Sequence, residues 1–355
     1  MRVLVLGAGA VGGLLGGSLA AGGAAVTLVA RGERGRALVA KGLRLARGGE
    51  TRRFDLPVVD SLAGATARGP FDATLLAVRG TDLAAAGEEM AAALPPGRLV
   101  VMLNGLGHEA TLAARLPGHA VCAGTLTAAC WEREPGWIEV GAKGGVGLEC
   151  RPGAICDNAD LAAAFRAGGL AARCYASGAS VKWSKLLLNM LGSASTAILG
   201  WPPARVFADR RLFRLELVAW REAMTVMRAL GVAPVALPDY PVPFYVLLAR
   251  GLPAALLQPL LGPRLAGGRG DRLPGPAMDL ARGRARTECE WLGGAVADAA
   301  ATAGRRAPIN SALAGLVADL AAGRRSREDF RDRPERLLSA VAGWPDRAPR
   351  EDRAS

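Results

Sequence analysis

The chain has 355 residues, of which 51% are hydrophobic, and its formal net charge at pH 7 is +12. That much apolar material suffices for two domain cores, so disorder is expected only for the charged tail at 346–355. The positive charge would suit a nucleic-acid-binding protein, but aromatic residues make up only 5%, the charges are dispersed, and no nucleic-acid-binding motif occurs. We therefore expect small anions such as phosphates and carboxylates as partners, rather than nucleic acid.

The first predicted element is a strand that runs directly into a glycine-rich turn. Residues 2–6 are leucine-rich and β-branched, an apolar helix follows up to residue 19, and between them lies Gly7-Ala8-Gly9-Ala10-Val11-Gly12. In such a turn the first glycine allows the bend, the second lets the backbone approach a pyrophosphate, and the third lets the helix pack on the strand. The phosphates then lie at a helix N-terminus, which favours negative charge. We predict that a dinucleotide binds at Gly7, Gly9, Ala10, Val11 and Gly12; a turn that serves packing alone is the alternative.

The second predicted strand, at 25–29, ends where a dinucleotide would place its adenosine ribose. A cofactor without a 2′-phosphate is usually held there by an acidic residue. This chain instead has Arg31, with two more arginines close behind, and Glu33 is the only carboxylate nearby. Because the planar fork of arginine suits a phosphate, Arg31 predicts NADP(H) rather than NAD(H). A solvated basic loop is the alternative.

Two further predicted strands, at 71–78 and 98–103, are followed by polar residues. Arg79 comes after the first of them and Asn104 after the second. Ligands of open parallel sheets bind beyond the carboxyl ends of the strands. We therefore predict that Arg79 reaches an anionic group and that Asn104 bonds a nicotinamide or a substrate oxygen, although Asn-Gly is also a common turn. His108 is expected to be an exposed residue at the start of a helix.

Residues 119–180 are predicted to complete the sheet with short strands and to end the first domain at 180. None of the six cysteines forms a C-x-x-C pair, so neither a metal site nor a redox dithiol is indicated. Cys150 and Cys156 are near enough in sequence to bridge, but reduced thiols are favoured. The N-terminal apolar run is the first strand and not a signal peptide, so a cytoplasmic protein is expected.

Long helical patterns begin after residue 180, and they contain a polar seam. Only four of the 44 basic residues are lysines, namely Lys41, Lys143, Lys182 and Lys185. Arginine cannot replace lysine where an ammonium must release a proton. Lys185, Asn189 and Ser193 are spaced by four and so share one face of an otherwise apolar helix. We predict that they line a cleft in which Lys185 protonates a developing alkoxide; a solvent-facing stripe is the alternative.

One later stretch, 240–261, is apolar for about the length of a membrane span. It contains Arg250, Gln258 and several prolines, so we expect an irregular helical segment packed on protein or on a second copy of the chain, and not a membrane span. A loop is predicted at 267–271. Glu288 follows shortly before another helix and is a candidate to fix a substrate hydroxyl, with an exposed helical glutamate as the alternative.

Together these residues resemble the ketopantoate reductase (2-dehydropantoate 2-reductase) family over residues 1 to about 320. The resemblance is carried by the glycine turn, Arg31, Asn104-Gly105-Leu106-Gly107, Trp183-Ser184-Lys185 with Asn189, Thr287-Glu288 and Pro308-Ile309-Asn310. It implies an α/β N-terminal Rossmann domain (1–180), an all-α C-terminal domain (181–345), and an active site in the cleft between them.

The resemblance also implies roles for individual residues. Lys185 would be the general acid, and Asn104 and Asn189 would position substrate and nicotinamide. Glu288 would complete the catalytic site by binding the substrate's hydroxyl. The expected reaction is the NADPH-dependent reduction of a 2-oxo acid, with ketopantoate first, as in pantothenate biosynthesis; a homodimer is left open.

Three departures from the family pattern concern the substrate side. Arg79 stands where the family usually has lysine, Ser193 where a second asparagine is common, and Gly275 or Pro276 where a substrate-binding serine is expected. These departures therefore bear on the choice of substrate rather than on the cofactor or the reaction type. The alternatives are a reductase of another carbonyl compound on the same scaffold and a sensor that binds NADPH without turnover.

Overall fold

The computed structural model describes residues 1–267 and 273–343, which form two compact units. Unit 1 comprises residues 1–103, 107–185 and 235–241, and unit 2 comprises residues 104–106, 186–234 and those from 242 onward. The units therefore divide at Lys185/Leu186, five residues after the predicted boundary, and each includes a short segment from elsewhere in the chain. Most of the predicted loop at 267–271 and the whole predicted tail at 346–355 lie outside the described residues.

Unit 1 contains two β-sheets. Its strands are β1 (Arg2–Leu6), β2 (Ala25–Val29), β3 (Leu43–Arg47), β4 (Glu50–Phe54), β5 (Val58–Val59), β6 (Ala73–Leu76), β7 (Arg98–Val101), β8 (Ala120–Leu126), β9 (Cys130–Glu134), β10 (Trp137–Val140), β11 (Gly145–Glu149) and β12 (Ala171–Tyr175). The larger sheet has eight strands in the order β12-β11-β8-β7-β6-β1-β2-β5, and the smaller one has the order β4-β3-β10-β9. From β5 to β8 all neighbours in the larger sheet are parallel, whereas β11 runs antiparallel to β8.

Helices cover both faces of the larger sheet. The helices that begin in unit 1 are α1 (Ala10–Ala21), α2 (Gly32–Lys41), α3 (Leu62–Thr66), α4 (Leu83–Ala93), α5 (His108–Arg115), α6 (Ala159–Ala167) and α7 (Gly178–Met190). Alternate residues of β1 point to opposite faces. Val3 and Val5 belong to a core with Phe165 of α6, whereas Leu4 and Leu6 belong to a separate core on the other face. Strands buried on both faces explain the continuous apolar run at the N-terminus.

The described part of unit 2 consists of helices joined by turns and loops, without a strand. Its helices are α8 (Ser193–Leu199), α9 (Pro203–Ala208), α10 (Arg210–Ala229), α11 (Val242–Gly251), α12 (Ala254–Gly267), α13 (Gly275–Ala281), α14 (Gly293–Thr302), α15 (Pro308–Ala321) and α16 (Pro334–Ala342). The long α10 packs against α9, α12 and α15. Asp209 caps it by accepting hydrogen bonds from the backbone N–H groups of Arg211 and Leu212. The predicted fold class, an α/β Rossmann domain followed by an all-α domain, is confirmed.

The apolar stretch at 240–261 forms α11 and most of α12, which are separated at Leu252 and Pro253. Arg221 of α10 holds the end of α11, because its guanidinium donates to the carbonyl oxygens of Ala249 (2.8 Å) and Leu252 (2.6 Å). Among the described residues, no helix combines the length and the apolarity that crossing a bilayer requires.

The expectation that His108 is exposed is wrong. His108 is completely buried in the first turn of α5. It lies one helical turn before Leu112, which is also completely buried, and α5 packs on β8. The residues around His108 predicted the start of a helix correctly, but they did not show which face of the helix would be covered.

The expectation of reduced thiols and the alternative pair Cys150–Cys156 are also wrong. Disulfides join Cys122 to Cys156 and Cys150 to Cys174, while Cys130 and Cys289 are free. Strand pairing explains the second bridge. Since β11 and β12 are parallel neighbours, Cys150, just after β11, lies beside the end of β12 and donates its backbone N–H to Tyr175. The spacing of the cysteines along the sequence does not indicate that Cys150 pairs with Cys174.

Thiol titration of the unreduced, denatured protein tests these pairs. We expect two free thiols per chain, Cys130 and Cys289, against six after reduction. Replacing Cys130 by serine should remove one free thiol, whereas replacing Cys122 should add one, because Cys156 loses its partner. A count of six without any reductant would contradict both bridges.

Candidate functional site

The three glycines between β1 and α1 lie in three different environments. Gly7 has φ +99°, which side chains rarely adopt, and a Cβ there would lie 2.8 Å from the carbonyl oxygen of Ala77. At Gly12 a Cβ would lie 1.8 Å from the carbonyl oxygen of Gly7, so only glycine lets α1 begin this close to β1. A Cβ on Gly9, by contrast, would have nothing within 4 Å. The backbone at Gly9 therefore borders open space.

The N-terminus of α1 also keeps its positive potential. Gly9 occupies the N-cap position without any side-chain cap, and no acidic residue lies in the first turn. The first N–H groups of a helix have no partner within the helix, and the helix dipole adds partial positive charge there. An uncapped N-terminus beside open space is chemically suited to an anion such as a phosphate group.

Arg79 lies on the same edge of the sheet as the glycine turn. Because β1 and β6 are parallel neighbours, the backbone N–H of Ala77 donates to the carbonyl oxygen of Leu6 (2.8 Å), and Ala77 in turn contacts Gly7. Arg79 follows two residues later as an exposed residue that begins the 3-10 turn Gly80–Asp82. The structure thus brings the segment of Arg79 to the turn predicted to bind phosphate.

Arg31 follows β2, which neighbours β1 on the side opposite to β6. Its Nε donates to the carbonyl oxygen of Asp60 (3.0 Å), and its Nη2 contacts both carboxylate oxygens of Glu89 in α4. The nearby Arg34 is bound to Glu132 of β9 at 2.6 Å, and this hydrogen bond raises the pKa of Arg34. Of these two arginines, Arg31 is the one at the predicted ribose position, and it already has a carboxylate partner.

Lys185 is a half-buried residue of α7 whose ammonium lies near Cys130. Burial raises the pKa of the Cys130 thiol to about 12, although the Lys185 charge acts in the opposite direction. A thiol with that pKa is neutral at physiological pH. Cys130 therefore provides no anionic partner for Lys185.

Lys182, on the preceding turn of α7, is a residue whose role the sequence analysis missed. Its side chain is only 5% exposed, and its ammonium lies 2.9 Å from the Glu109 carboxylate of α5. It also donates to the carbonyl oxygen of Leu103, the residue immediately before Asn104. Lys182 therefore ties α7 to the end of the strand that leads to Asn104. The scarcity of lysines was the one sequence signal that could have revealed it.

In unit 2, the loop of Asn104 contacts the short helix that begins with Glu288. Asn104 is exposed, and two residues later the backbone N–H of Leu106 donates to the carbonyl oxygen of Trp291 (3.0 Å). Gly105 has φ +96°, and a Cβ there would lie 2.5 Å from the same oxygen. Two segments far apart in the sequence, each with a predicted substrate-binding residue, therefore pack against each other.

Glu288 occupies space that a side chain at Gly275 would need. A Cβ on Gly275, the first residue of α13, would lie 2.5 Å from Oε2 of Glu288. Gly275, one of the two positions at which a substrate-binding serine was expected, thus has no side chain, and the Glu288 carboxylate lies against its backbone. The neighbouring Cys289 is buried, and this burial raises the pKa of its thiol.

The prediction that Ser193 shares one helix with Lys185 and Asn189 is wrong, because Asn189 and Ser193 flank the bend between α7 and α8. The Ser193 hydroxyl donates to the carbonyl oxygen of Asn189, and Gly192 between them has φ +70°. The buried carboxylate of Glu216, from α10, accepts hydrogen bonds from the backbone N–H of Gly192 (2.7 Å) and from the Ser195 hydroxyl. Glu216 therefore fixes the bend that carries two predicted substrate-binding residues.

Glu216 is a second residue that the sequence analysis missed. It lies four residues after Leu212 and four before Trp220, both of which are buried. A carboxylate on the apolar face of a helix requires hydrogen-bond donors if it is to be buried. Helical periodicity alone could therefore have marked Glu216 as a buried charge with a specific partner.

Comparisons with known proteins give a consistent result. The family model described as ketopantoate reductase PanE/ApbA matches residues 3–153, and the model of its C-terminal part matches residues 179–321. The chain is 30% identical over 327 residues to the 2-dehydropantoate 2-reductase of Halobacterium salinarum, which covers 89% of this chain and 98% of that protein.

Solved structures agree. A PanE/ApbA family ketopantoate reductase from Ralstonia eutropha JMP134 is similar at 26% identity and a TM-score of 0.75, covering 91% of this chain and 99% of that one. D-Mandelate dehydrogenase, solved with NADH and anilino(oxo)acetate, is similar at 18% identity and a TM-score of 0.74, with the same coverage of 91% and 99%. The second likeness shows the fold alone.

Substitutions at Gly12 and Gly9 should separate packing from nucleotide binding. Gly12→Ala should lower the free energy of unfolding by about 1–3 kcal/mol, because its methyl group meets the Gly7 carbonyl. Gly9→Ala should leave unfolding by urea almost unchanged but weaken the binding of NADPH, because its methyl group enters the open space. Full NADPH affinity in a folded Gly9→Ala variant would contradict a pyrophosphate at this turn.

Proposed function

Because the chain belongs to the ketopantoate reductase family, we propose that it reduces a 2-oxo acid with NADPH and that ketopantoate is the first candidate substrate. The feature of the molecule that carries this proposal is the uncapped α1 N-terminus beside the open space at Gly9. Its backbone suits a dinucleotide phosphate, and the D-mandelate dehydrogenase of the same fold was solved with NADH.

The proposed cofactor site lies at the carboxyl ends of β1, β2 and β6. Gly7, Gly9, Ala10, Val11 and Gly12 hold the pyrophosphate. Arg31 would bind the 2′-phosphate of the adenosine ribose, Arg79 would bind a further anionic group, and Asn104 would bond the nicotinamide or a substrate oxygen. When bound, the cofactor supplies the hydride that reduces the carbonyl carbon of the substrate.

Lys185 is the proposed general acid. As the carbonyl carbon is reduced, negative charge develops on its oxygen, and a proton from the Lys185 ammonium neutralises it. An arginine could not perform this step, because its pKa exceeds about 12.

Polar residues of unit 2 orient the substrate in this proposal. Asn104, Asn189 and Ser193 bond its polar oxygens, and the Glu288 carboxylate accepts a hydrogen bond from its hydroxyl group. Ordering these groups before the reaction keeps the carbonyl in a geometry that favours hydride transfer. Glu216, which fixes the bend between Asn189 and Ser193, acts on the substrate only through them.

Reduction of a different 2-oxo acid is the second candidate function, and Gly275 is the observation that favours it. A serine there would bring a hydroxyl to the substrate, whereas the glycine has no such group, and a Cβ on it would meet the Glu288 carboxylate. A site that lacks a hydrogen-bonding group loses discrimination for a substrate oxygen.

The first experiment follows NADPH absorbance after ketopantoate is added to the purified protein. We expect rapid consumption of NADPH with ketopantoate. With a panel of other branched and aromatic 2-oxo acids, we expect NADPH to be consumed more slowly. If NADPH is consumed faster with another acid than with ketopantoate, that acid becomes the proposed substrate. Binding of NADPH without consumption of any member of the panel would contradict a reductase and favour a sensor.

Two substitutions at Lys185 should separate proton donation from binding. Both Lys185→Ala and Lys185→Arg should lower kcat by about 100- to 10,000-fold, since neither residue supplies a transferable proton at this position. The Kd of NADPH should change much less. Lys143→Ala, which removes an exposed lysine after β10, is the matched control and should retain wild-type kcat. An equal loss in kcat and in cofactor affinity would contradict the general-acid role.

A further inference from the structure

The Arg31 guanidinium is held between two elements that lie beside the end of β2. Pairing of β2 with β5 places Asp60, just after β5, next to Arg31, and the backbone N–H of Ala30 donates to Val59 (2.9 Å). The carbonyl oxygen of Asp60 accepts from Arg31 Nε (3.0 Å), while the Glu89 carboxylate binds Nη2. Two of the three guanidinium nitrogens, Nε and Nη2, thus have partners. Among the described residues Nη1 has none, so it can bind a ligand.

Glu89 is itself fixed in place. It lies on α4, and its Oε1 also faces the backbone N–H of Leu62 at the start of α3 (3.4 Å). Its side chain is 29% exposed, against 61% for Arg31. Arg31 is therefore the more exposed member of the ion pair, and Glu89 is the more buried one.

A carboxylate and a phosphate compete for the same donors of an arginine fork. A 2′-phosphate that reached Arg31 would either share the guanidinium with Glu89 or displace it. If it shared the guanidinium, a dianionic phosphate would lie close to the Glu89 carboxylate, and the two like charges would repel each other. NADH has a hydroxyl in place of that phosphate, so its binding requires neither the displacement of Glu89 nor the approach of two like charges.

We propose that Glu89 is a specificity-determining residue, which lowers the preference of this protein for NADPH over NADH by holding Arg31 in an ion pair. This inference rests on the proposed function, because it requires that the ribose of the cofactor lies at Arg31. It adds that the arginine is restrained by an acid of α4, and that removing this acid strengthens NADPH binding.

The test compares Glu89→Gln with the wild type by titrating each with NADPH and NADH. Glutamine keeps the length of the side chain and an oxygen acceptor for Leu62 but removes the charge. The ratio of NADH Kd to NADPH Kd should rise about two- to fivefold, the range of a partly exposed ion pair. An unchanged ratio would overturn the proposal, and a lower ratio would show that Glu89 helps to position Arg31 for the phosphate instead.

Glu88→Gln is the matched control. Glu88 is the neighbouring acid of α4, its side chain is 78% exposed, and it lies 3.8 Å from Arg115 rather than near Arg31. The change in net charge is identical, so a general effect of charge on anionic nucleotides would raise the ratio in both variants. A rise of the same size in Glu88→Gln would therefore overturn a specific role for Glu89.

A second pair of variants tests whether Glu89 acts through Arg31. Arg31→Ala should weaken NADPH binding more than NADH binding, and adding Glu89→Gln to it should no longer change the ratio. An undiminished rise in the double variant would contradict competition for the guanidinium. If Arg31→Ala leaves the ratio of the wild type unchanged, the phosphate assignment in the proposed function fails. An Arg31 effect without a Glu89 effect defeats only this inference.

Discussion

The close approach of α1 to β1 is the constraint on which the proposed nucleotide-binding part of the structure depends. The Gly7 carbonyl lies where a side chain at Gly12 would be, so the helix can begin directly after the strand without a spacer. This geometry aims the free N–H groups of α1 past the carboxyl edge of the sheet, towards the open space at Gly9. Parallel pairing then brings the ends of β2 and β6, with Arg31 and Arg79, to the same edge.

Buried charges fix the backbone around the other predicted site residues. Lys182 binds the carbonyl of Leu103, one residue before Asn104, and Glu216 binds the Gly192 N–H, between Asn189 and Ser193. Removing a charge from water is costly unless it finds strong partners, and both residues have them. A backbone held by a buried charge has few alternative positions. In this way residues that would touch no substrate control the placement of those proposed to do so.

Whether one of the many arginines can bind an anionic ligand depends on the ion pairs that it already forms. Forty-four basic residues give the chain its positive charge, but an arginine that is bound to a carboxylate is not equivalent to a free one. Arg34 is bound to Glu132 and Arg31 to Glu89, although both follow the same strand. Affinity for a phosphate therefore depends on the acid beside each arginine as well as on the arginine itself. Net charge alone could not distinguish these cases.

The sequence by itself determined the features that depend on near neighbours in the chain. The β1–glycine turn–α1 unit and the strand ends at Arg79 and Asn104 follow from local periodicity and from glycine spacing, which act over a few residues. The fold class was implied by the family resemblance that such local motifs carry. Only the tertiary structure decided the burial of His108, the disulfides of Cys122 and Cys150, the Glu89 partner of Arg31 and the contact of Glu288 with Gly275. Each of these joins residues that are distant in sequence, or depends on which helix face is covered. Strand order and helix packing set such contacts, and no local pattern encodes them.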